Sequence, residues 1–309
     1  MRAYRKWGSN KKRKKQGIKR LLSVMLIGTI VLLVYLIVML CVLITSTFEN
    51  RIKENQNSAI LQEEGRSSQI GNSDKNTEID NTTLSREELV RKQIAAFVRE
   101  NHLSIDDYPE DLIESLVSNS EKEEFVFNYP LKKDTYSNKK LIECIGQSQM
   151  PLLLQWDDRW GYYPYGNGII GVMGCGPTSL SMVALHLLQN AEFTPIYMAD
   201  YAMENGYYEE GVGTAWDFMT KGARKLGLKV QEVGLDENVV MRHLRHGRPI
   251  ICAMGPGDFT KTGHFIVLVA EENGKIRIND CNSISRSSKL WEFEEFKDQI
   301  RNMWAYSVR

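Results

Sequence analysis

The chain has 309 residues, with 39 Lys or Arg against 39 Asp or Glu and a formal net charge of zero. That length gives room for one moderate domain with extensions. The overall balance excludes a uniformly basic or acidic protein, and without a P-loop or dinucleotide fingerprint no nucleotide cofactor is implied.

The balance hides an asymmetry. Ten of the basic residues lie within residues 1–20 with no acid among them, leaving 29 against 39 over the remainder. Lys11-Lys12-Arg13-Lys14-Lys15 resembles a localisation or nucleic-acid patch, but its position explains it better. Directly after the tail, Leu21–Ile44 runs for 24 residues without a charge. As a helix it would be about 36 Å long, enough to span a hydrocarbon core with some tilt. Basic residues before the span keep the N-terminus cytoplasmic and export the rest. The run is long for a cleaved signal peptide, and no small-x-small site follows it. The bulky Leu40 before Cys41 argues against a lipoprotein anchor. The expectation is a single-pass signal-anchor at the cell membrane, with the C-terminal domain extracytoplasmic and no nucleic-acid partner.

Residues 45–83 are rich in Asn, Glu, Ser and Gln and read as a disordered stalk. Residues 84–148 read as a helical prelude. Ser85-Arg86-Glu87-Glu88 has the form of a helix start, followed by Leu89, Ile94, Phe97 and Val98. A second helix is expected over Asp107–Val117 and a third element over Glu121–Tyr129. The prelude either packs on the core and shapes a cleft or is a spacer with helical character.

The core, 149–309, is organised around Gly174-Cys175-Gly176-Pro177-Thr178-Ser179. Glycine on both sides lets backbone approach closely, and Pro177 is pre-set for a first helical turn. The helix continues through Leu180, Val183, Ala184, Leu187 and Leu188, an apolar stripe at helical spacing. A thiol at this terminus meets unpaired backbone N–H groups and the positive end of the helix dipole, which favour the reactive thiolate. A buried structural cysteine is the commoner fate of a free Cys, but it needs no bare backbone around it. Downstream, Gly263-His264 opens the apolar run Phe265–Ala270, which reads as a buried strand. The turn Glu272-Asn273-Gly274-Lys275 leads to a second strand, Ile276–Ile278, ending in Asn279-Asp280. Antiparallel pairing through that turn brings Asp280 beside His264. Cys, His and a carboxylate or amide in this order match a papain-type site, in which the third group accepts the Nδ1–H of the imidazole. Adjacent strand residues face opposite ways, so only one of Asp280 and Asn279 can meet His264.

These blocks resemble the C39-like cysteine peptidases, a papain-like bacterial family. The matching residues are Leu154-Gln155-Trp156-Asp157-Asp158-Arg159-Trp160-Gly161, Tyr165-Gly166 and Gly174–Met182. They continue with Gly213-Thr214-Ala215-Trp216, Gly247-Arg248-Pro249-Ile250, Gly255–Thr260, Gly263-His264-Phe265 and Asn279–Ser283. The family pattern after the strand is usually Asp-Pro, and Cys281 stands here in place of the proline. The resemblance implies an α+β papain-like fold, with the Cys175 helix packed on a small antiparallel sheet carrying His264 and Asp280. It also makes Gln155 the oxyanion-hole donor. Bacteriocin-leader peptidases of the wider family are fused to ABC exporters. One anchor, no nucleotide-binding domain and the opposite orientation disfavour that role.

The aromatic cluster Trp156, Trp160, Tyr162, Tyr163 and Tyr165 either lines a substrate groove or packs, as do Trp216 and Phe259. His243-x-x-His246 has helical metal-ligand spacing but no third ligand, so no metal or cofactor is expected. Cys144, Cys252 and Cys281 show no pairing signature. The expected function is peptide-bond hydrolysis through Cys175, His264, Asp280 and Gln155 on a peptide or protein substrate. The alternatives are amide hydrolysis or transfer on cell-wall peptides with the same site, and a binding module with a degenerate site.

Overall fold

The computed structural model describes residues 84–308. The basic tail, the Leu21–Ile44 span and the 45–83 stretch lie outside the described residues, and the signal-anchor expectation lies there with them. Among the described residues no helix is long and apolar enough to cross a membrane.

The prelude begins with α1, Arg86–Glu100, which Ser85 and Glu88 start with a reciprocal capping box. The second helix, α2, covers Glu110–Ser118 rather than Asp107–Val117. Pro109 is the reason: Tyr108 ahead of it is held extended, so the helix starts after the proline. The expected third element divides into a 3₁₀ turn at Ser120–Lys122, α3 at Glu123–Phe127 and α4 at Tyr129–Lys132. Val90, Ile94, Leu112, Leu116, Phe125 and Val126 bury one another, with Tyr162 of the core among them. Phe125 stacks on Tyr162 at 4.4 Å between centroids. It also lies where a Cβ on Gly171 would come within 2.3 Å of its ring. Prelude and core therefore close over a shared apolar contact and belong to one compact unit.

In the core, a small ladder of β1 (Pro164–Tyr165) and β2 (Gly168–Ile169) leads into α5, Ile170–Met173, and then α6, Cys175–Leu188. Helix α7 follows at Pro195–Glu204, and a second small ladder joins β3 (Tyr208–Glu209) to β4 (Gly213–Thr214). The main sheet has six strands: β5 Lys229–Glu232, β6 Ile250–Met254, β7 His264–Glu272, β8 Lys275–Asn279, β9 Leu290–Trp291 and β10 Ile300–Ser307. They lie in the order β5-β10-β6-β7-β8-β9, antiparallel throughout. The β7–β8 turn is the expected two-residue hairpin, with Asn273 and Gly274 both at positive φ (55° and 81°). That is the conformation a type I′ turn requires and Asn-Gly accepts.

Both faces of the sheet are covered. Ile251, Ala253, Phe265, Val267 and Trp304 pack with α6, whereas Ile250, Cys252, Ile266, Leu268 and Met303 pack with α8, Glu237–Arg245. This double cover is why Phe265–Val269 reads as an unbroken apolar run instead of an alternating one. Helix α6 departs from the expected single stripe in the same way. Gly176 to Leu185 are buried on every side, while Leu187 and Leu188 are only half-buried at its end.

Candidate active site

Cys175 is the first residue of α6, and two glycines fix it there. A Cβ on Gly174 would come within 2.7 Å of the Ile170 carbonyl oxygen, and one on Gly176 within 2.6 Å of Thr214 Oγ1. The backbone thus passes closer to α5 and β4 than any side chain permits. The thiol is half-buried. Burial works to raise its pKa. The hydrogen bond and positive charge of His264, with the backbone N–H groups of Phe265 and Gly176, outweigh that and hold it below the ordinary thiol value.

His264 opens β7 opposite Met254 of β6 and is 8 % exposed. Its Nε2 lies 2.7 Å from Asp280 Oδ1. A carboxylate only accepts, so Nε2 carries that proton and Nδ1 is left for the thiol. This corrects the expected Nδ1–carboxylate bond, since the ring uses its other nitrogen. Burial pulls His264 down, but the Asp280 charge and hydrogen bond, with Cys175 adding to them, raise it to about 9.

Asp280 follows the end of β8 and is fully buried. Its Oδ1 also accepts from the Asn282 N–H at 2.8 Å, and its Oδ2 accepts from Arg286 Nε. Burial favours the neutral acid, yet His264 and then Arg286 hold the carboxyl below its usual range. Asn279 points the other way, its amide donating to the Pro151 carbonyl at 3.0 Å. The opposite-face argument therefore places Asp280, not Asn279, against His264.

Gln155 is buried and lines the same cleft as Cys175 and His264. Its Nε2 donates to the carbonyls of Gly171 at 3.0 Å and Val172 at 3.2 Å, while Oε1 accepts from Cys281 Sγ at 3.4 Å. Cys281 is itself fully buried, and burial together with the charges of Cys175 and Asp280 raises its thiol well above the ordinary value. It packs behind Cys175 as a protonated donor. Cys144, Cys175, Cys252 and Cys281 are all free thiols.

Sequence reasoning missed Arg286, Glu121 and Lys122. Arg286 lies in α9, Ile284–Ser288, and anchors the far side of Asp280. Glu121 of the prelude caps α9, accepting from the Ile284 N–H at 2.6 Å and from the hydroxyls of Ser283 and Ser285. Lys122 Nζ donates to the Gly171 carbonyl at 3.0 Å. Asn119 Nδ2 donates to the Asn282 carbonyl. The prelude thus grips the loop that carries Asp280, and it is not a detached spacer.

Two grooves meet at Cys175 and His264. One, of about 650 Å³, runs between the prelude (Arg91, Asp111, Glu114, Lys122) and the Gly257–Gly263 loop. The other, of about 800 Å³, is walled by Val212, Trp216, Met254 and Pro256. Trp216 is about half exposed there, whereas Trp160, Tyr162 and Tyr165 are buried packing residues. Phe259 is buried against Trp291 and Phe296.

Among the described residues, one group has donor atoms near enough for a metal, His264, Asp280 and Cys281, all within 4.8 Å. Asp280 is already bonded to His264 and Arg286, and the Cys281 thiol is protonated, so this set is a poor ligand shell. His243 is buried and His246 is exposed, with its Nδ1 2.7 Å from the Arg242 carbonyl, so they form no pair.

Residues 147–309 match the family model described as the Peptidase_C39 like family, and the chain belongs to that family. It is also similar to solved structures. The peptidase domain of Streptococcus ComA, a bi-functional ABC transporter, is 19 % identical, with TM-score 0.35, covering 44 % of this chain and 93 % of that one. A C39-like peptidase from Bacillus anthracis is 17 % identical, with TM-score 0.33, covering 55 % and 97 %. A double glycine motif protease from an AMS/PCAT transporter, in complex with a leader peptide, is 18 % identical, with TM-score 0.31, covering 53 % and 97 %. No curated protein matches.

Proposed function

We propose that this chain is a cysteine peptidase whose nucleophile is Cys175, oriented by His264 and Asp280. The observation that carries the reading is the line of half-buried thiol, buried imidazole and buried carboxylate, with His264 raised and Cys175 lowered. Those shifts describe a thiolate–imidazolium pair. Cys175 Sγ attacks the peptide carbonyl, and the C–N bond breaks as His264 Nδ1 gives its proton to the leaving amine. Water then attacks the thioester, giving a proton to His264 while the thiolate departs. The Cys175 N–H and Gln155 hold the oxyanion, each donor being worth roughly 2.7–4 kcal/mol. For that role Gln155 turns one N–H away from the longer of its two carbonyl contacts. Grooves on both sides of Cys175 suit an extended peptide lying across the site.

The sign of the pH dependence follows. Below the lowered Cys175 value the thiolate is lost, and above about 9 His264 loses the proton that the leaving amine needs. The raised His264 value by itself adds stability that is fully present below the ordinary His value near 6.5 and disappears as pH rises through about 9. We expect kcat/KM to fall on the alkaline side with a midpoint near 9. A profile flat from pH 8 to 10.5 would exclude His264 as the acid.

The reading extends to an extracytoplasmic enzyme held by Leu21–Ile44, supported by the uncharged span and the ten basic residues before it. Protease added to protoplasts should remove the C-terminal domain and spare an N-terminal tag. A protected C-terminal domain would reverse the orientation.

A further inference from the structure

Lys122 brings a buried ammonium of the prelude to the edge of the cleft. It is 2 % exposed, and among the described residues its one acceptor is the Gly171 carbonyl at 3.0 Å. An ammonium carries three donors, and an unpaired buried charge is costly unless it serves something. The nearby carboxylates are committed elsewhere, Glu121 to α9 and Asp280 to His264 and Arg286. Gly171 O also accepts from Gln155 Nε2 at 3.0 Å, so lysine and glutamine converge on one buried backbone oxygen. Lys122 lines that cleft together with Gln155, Cys175 and His264. It lies outside the stretch 147–309 that matches the family, so the prelude adds it to the site.

We propose that Lys122 is a positioning residue of this site: it sets a positive charge behind the Gly171–Gln155 wall, where that charge favours the thiolate of Cys175 and the oxyanion formed on the attacked carbonyl. The inference rests on the peptidase reading above. Four groups in and beside the cleft act on the ammonium. Burial pulls it down to about 8, the Cys175 thiolate and Asp280 work to raise it, Cys281 would add to them only as a thiolate, and Arg286 works to lower it. An ammonium this close to losing its proton keeps its charge best when an anion forms beside it, which is the condition for coupling to the nucleophile.

A lysine that merely docks the prelude behaves differently from one that acts on charge, and Lys122→Met separates the two. Methionine keeps the buried stem and removes the charge, a change that by itself leaves stability level or higher. The full chain is treated with iodoacetamide across pH 5–10, and modification of the Cys175 peptide is followed by mass spectrometry. The midpoint of alkylation should rise by about one unit in Lys122→Met, making the reaction about tenfold slower below it, with Tm unchanged or raised. Lys122→Arg should bring the midpoint back toward the wild type. An unchanged midpoint overturns the proposal, as does a fallen Tm with an unchanged midpoint. A wild-type Cys175 that iodoacetamide does not label at any pH in that range sinks the peptidase reading itself, a separate result. The reciprocal measurement uses the native chain and decides the matter whether or not the variants fold. In ¹³C-lysine-labelled protein, the buried lysine should titrate about one unit lower once Cys175 has been alkylated to a neutral thioether. No change in that titration is the contrary result.

Discussion

Cys175→Ala is expected to abolish peptide turnover, a loss on the order of 10⁶-fold, while the chain folds as before. The nucleophile is the one atom for which the site has no substitute. Cys281 Sγ is buried, protonated and directed at Gln155 Oε1 and the Cys175 carbonyl, so it cannot take over. The deleted sulfur is half-buried at a helix start, and its loss should change stability by no more than about 1 kcal/mol. His264→Ala should cost a similar share of turnover but more stability, because the buried Asp280 then keeps only Arg286 and the Asn282 N–H. Thermal unfolding read beside turnover separates the two cases. Full activity in either variant would remove these residues from the chemistry.

Asp280→Ala has the second largest expected effect and acts on both activity and stability. It leaves His264 without the acceptor at 2.7 Å and Arg286 without its carboxylate. Stranding a buried cation typically costs about 3–5 kcal/mol, and Arg286, being half-buried, adds less than that. Without the carboxylate the ring is neither held nor stabilised as imidazolium, so kcat should fall roughly 10²–10⁴-fold. The loss stays smaller than for Cys175 because the thiolate and imidazolium can still pair. Asn279→Ala should cost about 1 kcal/mol through its bond to the Pro151 carbonyl and leave kcat nearly intact. A severe loss of kcat in Asn279→Ala beside a mild one in Asp280→Ala would transfer the orienting role to Asn279.

The parts of this site that local rules govern were legible in the sequence. Glycines and proline around Cys175 announced a helix start with close backbone approach. The Asn-Gly turn set the start of the β7–β8 pairing, whereas the bulge between Leu268 and Ala270, which shifts the register by one residue on the way to Asp280, was not legible. The capping box at Ser85 and Glu88 marked α1 for the same reason. What escaped depends on long-range packing. Lys122 sits in Glu121-Lys122-Glu123-Glu124, which reads as a solvated charge run, and only the seating of Phe125 against Tyr162 and Gly171 buries it. Arg286 is six residues from Asp280, a spacing with no local meaning until α9 folds back. The choice of ring nitrogen was equally hidden, since it depends on where the loop after β8 seats Asp280 against the ring. Cys281 occupies the place of the family's usual proline, and its contacts with Gln155 and Ser179 Oγ make it part of the wall behind the nucleophile.

The central claim, that Cys175 hydrolyses peptide bonds, is tested most directly by digesting a proteome-derived peptide library in ¹⁸O-labelled water. The wild-type chain should create new termini, with ¹⁸O incorporated into each new carboxylate as water resolves the thioester, and Cys175→Ala should create none. The same new termini arising with Cys175→Ala, or products in which the acyl group has passed to another amine without ¹⁸O, would contradict the account.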